Sequence, residues 1–576
     1  MGSLAYSLLL ILILLLLLES TSALVIPVPS SCSAAGTCTE QINVAITSCK
    51  GSPYCTVSLE EGVYYLTGSP FSNLINVFGA TNLAIVGSGD STILLADNIH
   101  NFFQISGGSN ISLSSFAVDM ERLPFTYGIV ANSVKSPNSS SLYDSTIIFN
   151  VTEYPVDLRY SWIGTVQAIM GFDPVLRHPT LDNLDIYALS PSYTATYPAE
   201  TPGTMIIQAP KLPIGENVIV RHQVYSFNFA NAEKVNKIAY SNISLWATGG
   251  MGFYTHQCTD IILTGVRVER IGNRPMSITA DGAHIQDSQG GSVIIRDSVF
   301  DGQGDDGVNV PTTFQEIVSI DPSTFRFKLG GRGAPLEPPL FTQGDTVYFY
   351  NRSSMAILGI SIVSEILTNN TVKIESAFPQ GVGLYSLVLS PQNFADYLEI
   401  VDCTFSNNRA RGALVKTSNA YIARNVFKGM SMSGLKTETD GCYWFEGRPV
   451  TNWTATNNTF ISLNYWISET NGNGDITIDS YVPVFNDGVP TTQCVHWTGP
   501  ESAVQANLTI TDNIFFSAYN QTPITIWSVD GLNVSNNEIA YAQGTGATYA
   551  IIGQGLSNSS AASNVCNGEP CKTEGV

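Results

Sequence analysis

One eight-residue pattern returns along this chain, and a recurring unit of that kind leaves few folds open. It reads apolar, any, apolar, two unrestricted positions, small or apolar, any, apolar. It is met as Ile111-Ser-Leu113-Ser-Ser-Phe116-Ala-Val118, as Ile261-Ile-Leu263-Thr-Gly-Val266-Arg-Val268 and as Val293-Ile-Ile295-Arg-Asp-Ser298-Val-Phe300. Further copies are Leu398 to Phe405, Ala420 to Phe427, Trp453 to Phe460, Leu508 to Phe515 and Leu532 to Ile539. The first half alternates with period two, as a strand with one buried face does. The Asn, Asp or Ser that follows is turn chemistry. Asn425, Asn458, Asn513 and Asn537 hold the same place in successive copies, so their side chains can bond to one another along a stack. Copies recur at about 22–33 residues, the range of solenoid repeats. Each coil buries its apolar face against the next. The expected class is all-β: a right-handed parallel β-helix, the pectin-lyase-like solenoid. A β-propeller needs longer and more regular repeats.

The repeat is interrupted between Pro311 and Gln392. That stretch has strand signals of its own, from Thr324 to Leu329, Asp345 to Tyr350, Ile357 to Leu367, Thr371 to Ile374 and Leu387 to Leu389, separated by Gly and Pro. It reads as a small antiparallel barrel or sandwich inserted into the solenoid. The segment from Ser136 to Pro213 has weak patterning and is expected as long loops over the early coils. The expected division is 1–23 a leader, 24–310 the first part of the β-helix with a cysteine-rich start, 311–392 the inserted barrel, and 393–576 the rest of the β-helix with its tail.

The leader rests on the apolar run from Leu8 to Leu18, followed by the small residues Thr21, Ser22 and Ala23. It reads as a signal peptide cut near Ala23, although no Lys or Arg precedes the run. About eleven apolar residues are short for a membrane anchor, so no stable membrane insertion is expected after cleavage. Cysteines agree with a secreted, extracellular protein. Cys32, Cys38, Cys49 and Cys55 crowd one end, Cys566 and Cys571 the other, and both groups read as disulfides. Their spacings suit zinc poorly, and no His lies near. Cys403 and Cys442 read as structural. Asn-x-Ser/Thr sequons from Asn110 to Asn558 fit a glycosylated chain. Charged residues are only 13% and the net charge is -21, so nucleic acid and anionic membranes are repelled rather than bound.

In a chain so poor in charge, one acidic cluster stands out: Asp281-Gly-Ala-His284-Ile-Gln-Asp287, then Gly302-Gln-Gly-Asp305-Asp306-Gly-Val-Asn309-Val. Asp306 comes six residues after Phe300, and Arg411 six after Phe405, each the last apolar position of a copy. Asp281 to Ile285 aligns with Asp306 to Val310, which sets His284 beside Asn309. Asp281, Asp306 and Arg411 therefore belong at similar angles on neighbouring coils, about 4.8 Å apart. Crowded carboxylates cannot all ionise cheaply, so at least one keeps its proton near neutrality. A protonated acid beside an ionised base is what glycosidic hydrolysis needs. Arg411 can bind sugar hydroxyls or hold one aspartate ionised. An isolated Asp-Gly is far more often a turn, and a lone His more often structural; coil phase is what favours the catalytic reading. A second candidate runs from Thr437 to Arg448 and carries Trp444 and Glu446, an aromatic face and a carboxylate suited to a sugar. A loop packed by its own aromatics fits that segment equally well.

With these motifs in order, Asp281-Gly-Ala-His-Ile, Gly304-Asp-Asp306-Gly-Val-Asn-Val, Gly344-Asp345-Thr-Val-Tyr-Phe, Phe405-Ser-Asn-Asn-Arg409-Ala-Arg411 and Trp444-Phe-Glu446, the sequence resembles the β-helical α-1,3-galactosidases of glycoside hydrolase family 110. The resemblance runs from about Ile243 to Phe460. It implies an exo-acting, inverting galactosidase that acts on a glycan without metal or organic cofactor, with Asp281, Asp305 and Asp306 catalytic. His284, Asn309, Arg409, Arg411, Trp444 and Glu446 are the expected substrate contacts. Polygalacturonases share a comparable Asp-Gly and Gly-Asp-Asp arrangement and are the runner-up; their Gly-His-Gly and Arg-x-Lys motifs and a barrel of this kind do not match. A surface adhesin or carbohydrate-binding β-helix is the non-enzymatic alternative, but binding alone needs no protonated carboxyl. A lyase would need calcium and a basic residue, and no second basic residue is expected beside Arg411 in the phased columns.

Overall fold

The computed structural model describes residues 24–32, 37–137, 139–182, 184–189, 192–331, 336, 338–368, 370–466, 473–498, 504–519, 521–543 and 546–576. The expected leader, 1–23, lies outside the described residues. The chain winds into a right-handed parallel β-helix. Each central coil contributes a strand to three parallel sheets. The first sheet contains Phe253–His256, Ala283–Gln286, Val308–Val310, Ala413–Val415 and Leu435–Asp440. The second contains Thr259–Thr264, Ser292–Arg296, Tyr397–Val401, Ala420–Ala423, Thr451–Thr456 and Gln505–Thr511. The third contains Arg267–Val268, Val299–Asp301, Thr404–Ser406, Val426–Lys428 and Thr459–Ile461.

The repeat pattern covers the second and third sheets and the corner between them. Leu263, Ile295, Ile400, Ile422, Ala455 and Ile510 pair in register as one inward ladder, all fully buried. Phe300, Phe405, Phe427, Phe460 and Phe515 form a second ladder, their rings 4.8–5.1 Å apart and within 9° of parallel. At the corner, Asn242, Gly265, Asp297, Asp402, Arg424, Asn457, Asp512 and Asn536 stack with φ between 51° and 63°. That left-handed conformation favours Asn, Asp and Gly. The next position carries the expected asparagine stack. Asn425 donates to Asn458, Asn458 to Asn513 and Asn513 to Asn537, at 3.0–3.1 Å, and each also donates to a carbonyl of the preceding coil, as Asn425 does to Ile400 O at 2.8 Å. The stack runs one coil further, to Asn564.

Three features interrupt the winding. At one end, the helix Cys38–Ser48 packs Ile42, Ala45 and Ile46 into the solenoid core. Thr37 and Glu40 close a capping box at its start, and the disulfides Cys32–Cys38 and Cys49–Cys55 bracket it. The stretch from Ser136 to Pro213, read from sequence as loops, instead carries seven strands among its described residues, from Tyr143–Phe149 to Thr204–Ala209. It belongs to a nine-stranded antiparallel sheet running from Phe125–Lys135 to Asn217–Arg221. Four of its strands, Thr165–Val166, His178–Pro179, Asp185–Tyr187 and Tyr193–Thr196, are too short for an alternation to register, and Met205 and Ile207 are fully buried in the core shared with the coils. The third feature is a closed six-stranded barrel, from Gln315–Asp321 to Leu387–Leu389, inserted where the chain passes from the first sheet to the second. Its interior is a separate core around Phe327, Phe349 and Val363. Cys566 and Cys571 are joined, and Cys442, read as structural, pairs with Cys494.

Candidate active site

A column of glycines sets the geometry where the third sheet returns to the first. Gly282, Gly307 and Gly412 stack on successive coils; a Cβ on any of them would come within 2.5 Å of the carbonyl oxygen of the next coil, at Gly307, Gly412 and Gly434 respectively. None needs a left-handed conformation. The Asp-Gly pairs are therefore contacts between coil backbones, not turns. The residue before each glycine is held by the same ladder: Gly282 N donates to Asp306 O at 2.9 Å and Gly307 N to Arg411 O at 3.0 Å. Asp281, Asp306 and Arg411 are stacked accordingly, and His284 pairs with Asn309 in the adjoining strands.

The three aspartates are buried, and one carboxylate oxygen of each lies within 4.8 Å of those of the other two. Their partners differ. Asp305 Oδ1 accepts from Arg409 at 2.7 Å and Oδ2 from the Tyr225 hydroxyl at 2.5 Å, with the Tyr187 hydroxyl at 3.4 Å. Asp306 Oδ1 accepts from the backbone N of Arg411 at 2.9 Å, and Asp306 Oδ2 pairs with the Arg411 guanidinium at 3.0 Å. Asp281 meets His284 Nδ1 at 2.7 Å. Burial raises all three carboxyls, and neighbours separate them. Around Asp305, Arg409, Arg411 and Tyr225 outweigh burial and hold it below its ordinary value. Asp306 is pushed up to about 7 by burial, with Asp305 and Asp281 adding to the shift against Arg411. Asp281 is raised, again by burial first, with His284 opposing. A triad of carboxylates can also hold a cation, but here the guanidinium groups of Arg409 and Arg411 already supply positive charge.

All nine residues singled out from sequence line one cavity of about 1000 Å³, at the upper end of the roughly 300–1,000 Å³ typical of small-molecule sites. Asp281, Asp305, Asp306, His284 and Asn309 are buried in it, Arg409 and Arg411 flank them, and Trp444 stands half exposed at the rim beside Glu446. Arg411 Nε and Asn309 Oδ1 are buried without a hydrogen-bond partner. Such groups leave bonding capacity for a polar ligand. The Trp444 loop is rigidly held. Asp440 accepts from the backbone N of Cys442, Tyr443 and Trp444, each at 2.7 Å; the Cys442–Cys494 disulfide ties the loop to the hairpin of Ile476–Asn486 and Val489–His496; Phe445 packs in a cluster with Phe314 and Tyr350 beside the barrel.

Several participants carry no sequence signal. Tyr187 lies between the guanidinium groups of Arg221 and Arg409, 4.7 and 4.6 Å from its ring centroid. Arg409 also binds Asp185 at 2.8 Å. Arg221 donates to the carbonyls of Thr279 and Gly304, which anchors the loops carrying the aspartates. These groups come from the antiparallel sheet, and only docking brings them here. Two lysines lie on neighbouring columns: Lys436 continues the column of His284, Asn309 and Leu414, and Lys416 lies two residues beyond Leu414, both inside ion pairs. Burial lowers each lysine, but paired carboxylates outweigh it and keep both protonated, which disfavours a proton-abstracting base.

No family model matches the chain. Curated proteins do. It is 25% identical over 406 residues to alpha-1,3-galactosidase A of Shewanella woodyi, covering 67% of this chain and 64% of that protein. The chain is similar in sequence to α-1,3-galactosidases. A second match is alpha-1,3-galactosidase B of Akkermansia muciniphila, 24% identical over 258 residues, 43% of this chain and 32% of that protein. The chain thus spans less than two thirds of the length of these galactosidases. Among solved structures, the Family 28 exopolygalacturonase of Yersinia enterocolitica aligns over 96% of this chain and 79% of its own at 11% identity, with a TM-score of 0.41.

Proposed function

We propose that this protein is a secreted, exo-acting glycoside hydrolase that removes terminal α-1,3-linked galactose from glycans with inversion. The observation that carries the reading is the three carboxylates in one cavity, biased in opposite directions by named neighbours. Asp306 starts protonated and Asp305 ionised. Asp306 gives its proton to the departing glycosidic oxygen as the bond to C1 breaks. Water attacks C1 from the opposite face, and its proton passes to Asp305. The carboxylate oxygens are closer than the roughly 6.5–9.5 Å usual for inversion. Two oxygens less than 4.8 Å apart can, however, both accept from one water at about 2.7–2.8 Å, so Asp281 and Asp305 together can hold the nucleophile.

Charge favours a neutral sugar over a uronate. Arg409, Arg411, Lys416 and Lys436 are each committed to carboxylates, which leaves none of them free for an anionic substrate. The walls supplied by Tyr187, Ala188 and Leu189 on one flank and the Trp444 loop on another suit a chain end better than a through-running polymer. Disulfides support the secreted assignment. The test is hydrolysis of a panel of aryl α- and β-glycosides and α-1,3-linked digalactoside, with proton NMR of the first-formed sugar. Cleavage of α-galactosides to β-galactose is expected. Release of α-galactose first would overturn inversion, and cleavage of galacturonides alone would favour the polygalacturonase reading.

A further inference from the structure

Beside the cavity, on the outer face of the first sheet, buried acidic and basic side chains form a chain of ion pairs. Lys416 Nζ lies 2.8 Å from Glu446 Oε2 and 2.9 Å from Glu438 Oε1. Lys436 Nζ lies 2.7 Å from Glu438 Oε2 and 3.2 Å from Asp479 Oδ2. Lys416 and Asp479 are 0% exposed, and Glu438 only 4%. Strand register makes the chain: Leu414 pairs with Lys436, two residues on Lys416 falls beside Glu438, and Glu438 pairs with Asp479. Well-packed apolar residues would hold a solenoid as well or better, because burying such charges costs their hydration. The chain therefore calls for another explanation, and it has one exit. Glu446 is the member that lines the cavity. Lys416 engages its Oε2, and no bond to Oε1 is made among the described residues.

We infer that Lys416 is a positioning residue that holds Glu446 ionised and fixed in the cavity wall, so that its second carboxylate oxygen accepts hydroxyl groups of the bound sugar. Glu438 and Lys436 balance the charge behind it. Glu446 shares its rigid loop with Trp444, so one short segment presents a carboxylate for hydroxyls and an aromatic rim. The inference rests on the reading of the cavity as a glycan site, and the experiment separates the two.

Kinetics of Lys416→Met, Lys416→Arg, Glu446→Gln and the Lys416→Met/Glu446→Gln pair would be measured on α-galactosides. A hydrogen bond to a charged acceptor is worth about 10- to 100-fold in binding. Lys416→Met and Glu446→Gln should each raise KM by about that factor with kcat nearly unchanged, the pair should be no worse than either, and Lys416→Arg should recover most of the loss. A merely structural lysine would lower kcat or the folded fraction and leave KM alone. That result, or additive effects in the pair, overturns the inference. Should Lys416→Met not fold, Glu446→Gln, which keeps the Lys416–Glu438 pair, carries the test: an unchanged KM overturns it. If the wild type cleaves no α-galactoside, the galactosidase reading falls. Glycan-array binding of Asp306→Asn against Asp306→Asn/Lys416→Met then decides: lost binding in the second supports Lys416, equal binding refutes it, and binding by neither refutes both.

Discussion

At the scale of single residues, the chemistry depends on groups of one charge type being made unequal. Asp305 and Asp306 are neighbours in sequence, yet one is held ionised by Arg409 and Tyr225 while the other is left to burial. Replacing Asp281, Asp305 or Asp306 with Asn should leave the fold intact and cut turnover about 100- to 10,000-fold; circular dichroism with steady-state assays checks both. The rate should fall as pH rises through about 7, where Asp306 loses its proton. Stability should follow in the same sense. Asp306, Asp475 and Asp479 all sit near 7 because burial disfavours their charge. Each binds a proton more tightly when folded, so its stabilising effect is full below the unfolded value of about 4 and is lost as pH rises through 7. The urea midpoint should drop between about pH 4 and 7, and Asp475→Asn should flatten that slope. Glu438 and Asp305, both lowered, act oppositely, and their contribution disappears as pH falls into the acid range.

At the scale of elements, coils are joined by ladders that each residue type fills for a different reason. Phenylalanine supplies area and stacks face to face; asparagine supplies a donor and an acceptor that satisfy two coils at once. Phe427 is fully buried between Phe405 and Phe460. Its replacement by Ala should cost about 3–5 kcal/mol. Asn513→Ala strands buried partners on both sides, at about 1–3 kcal/mol for each unpaired group. Denaturant unfolding measures both. In a solenoid, where each coil leans on its neighbours, a loss at mid-stack should also broaden the transition. Equal effects from Ala at an exposed corner such as Asn536 would contradict the ladder account.

At the scale of the whole molecule, the proposed catalytic cavity and most of the exposed sequons fall on different sides. The aspartates stand at the corner where the third sheet returns to the first. Among the described residues, the exposed sequon residues Asn110, Asn242, Asn452, Asn457, Asn507, Asn533 and Asn558 lie on the second sheet and its two bordering corners, whereas the exposed Asn150 follows the strand Tyr143–Phe149 of the antiparallel sheet. Passage through a eukaryotic secretory route should place most glycans on that side and leave the cavity open. Glycopeptide mapping tests this. Asn452 and Asn507 stack on adjacent coils, about 4.8 Å apart, so full occupancy of one should depress the other. The antiparallel sheet and the barrel flank the cavity and convert an open solenoid surface into a walled one.

The repeat alone determined the coil, its inward ladders, its asparagine stack and the phase that brings Asp281, Asp306 and Arg411 together. Those are properties of period and spacing, and period and spacing are written along the chain. The Cys566–Cys571 bridge and the pairing of the four early cysteines among themselves were legible from spacing, but that Cys32 joins Cys38 and Cys49 joins Cys55 came from the structure. What the sequence held unread was the small helix, although its Thr37-x-x-Glu40 signature was present. The Cys442–Cys494 bridge, the antiparallel sheet and the groups that bias Asp305 were decided by tertiary structure. Tyr187 and Tyr225 act on Asp305 from 118 and 80 positions away, Asp185 holds Arg409 from 224 positions away, and Arg221 reaches Gly304 from 83. Their roles come from docking one folded layer on another, and a charge acquires its partner, and its pKa, only once burial has removed the water between them.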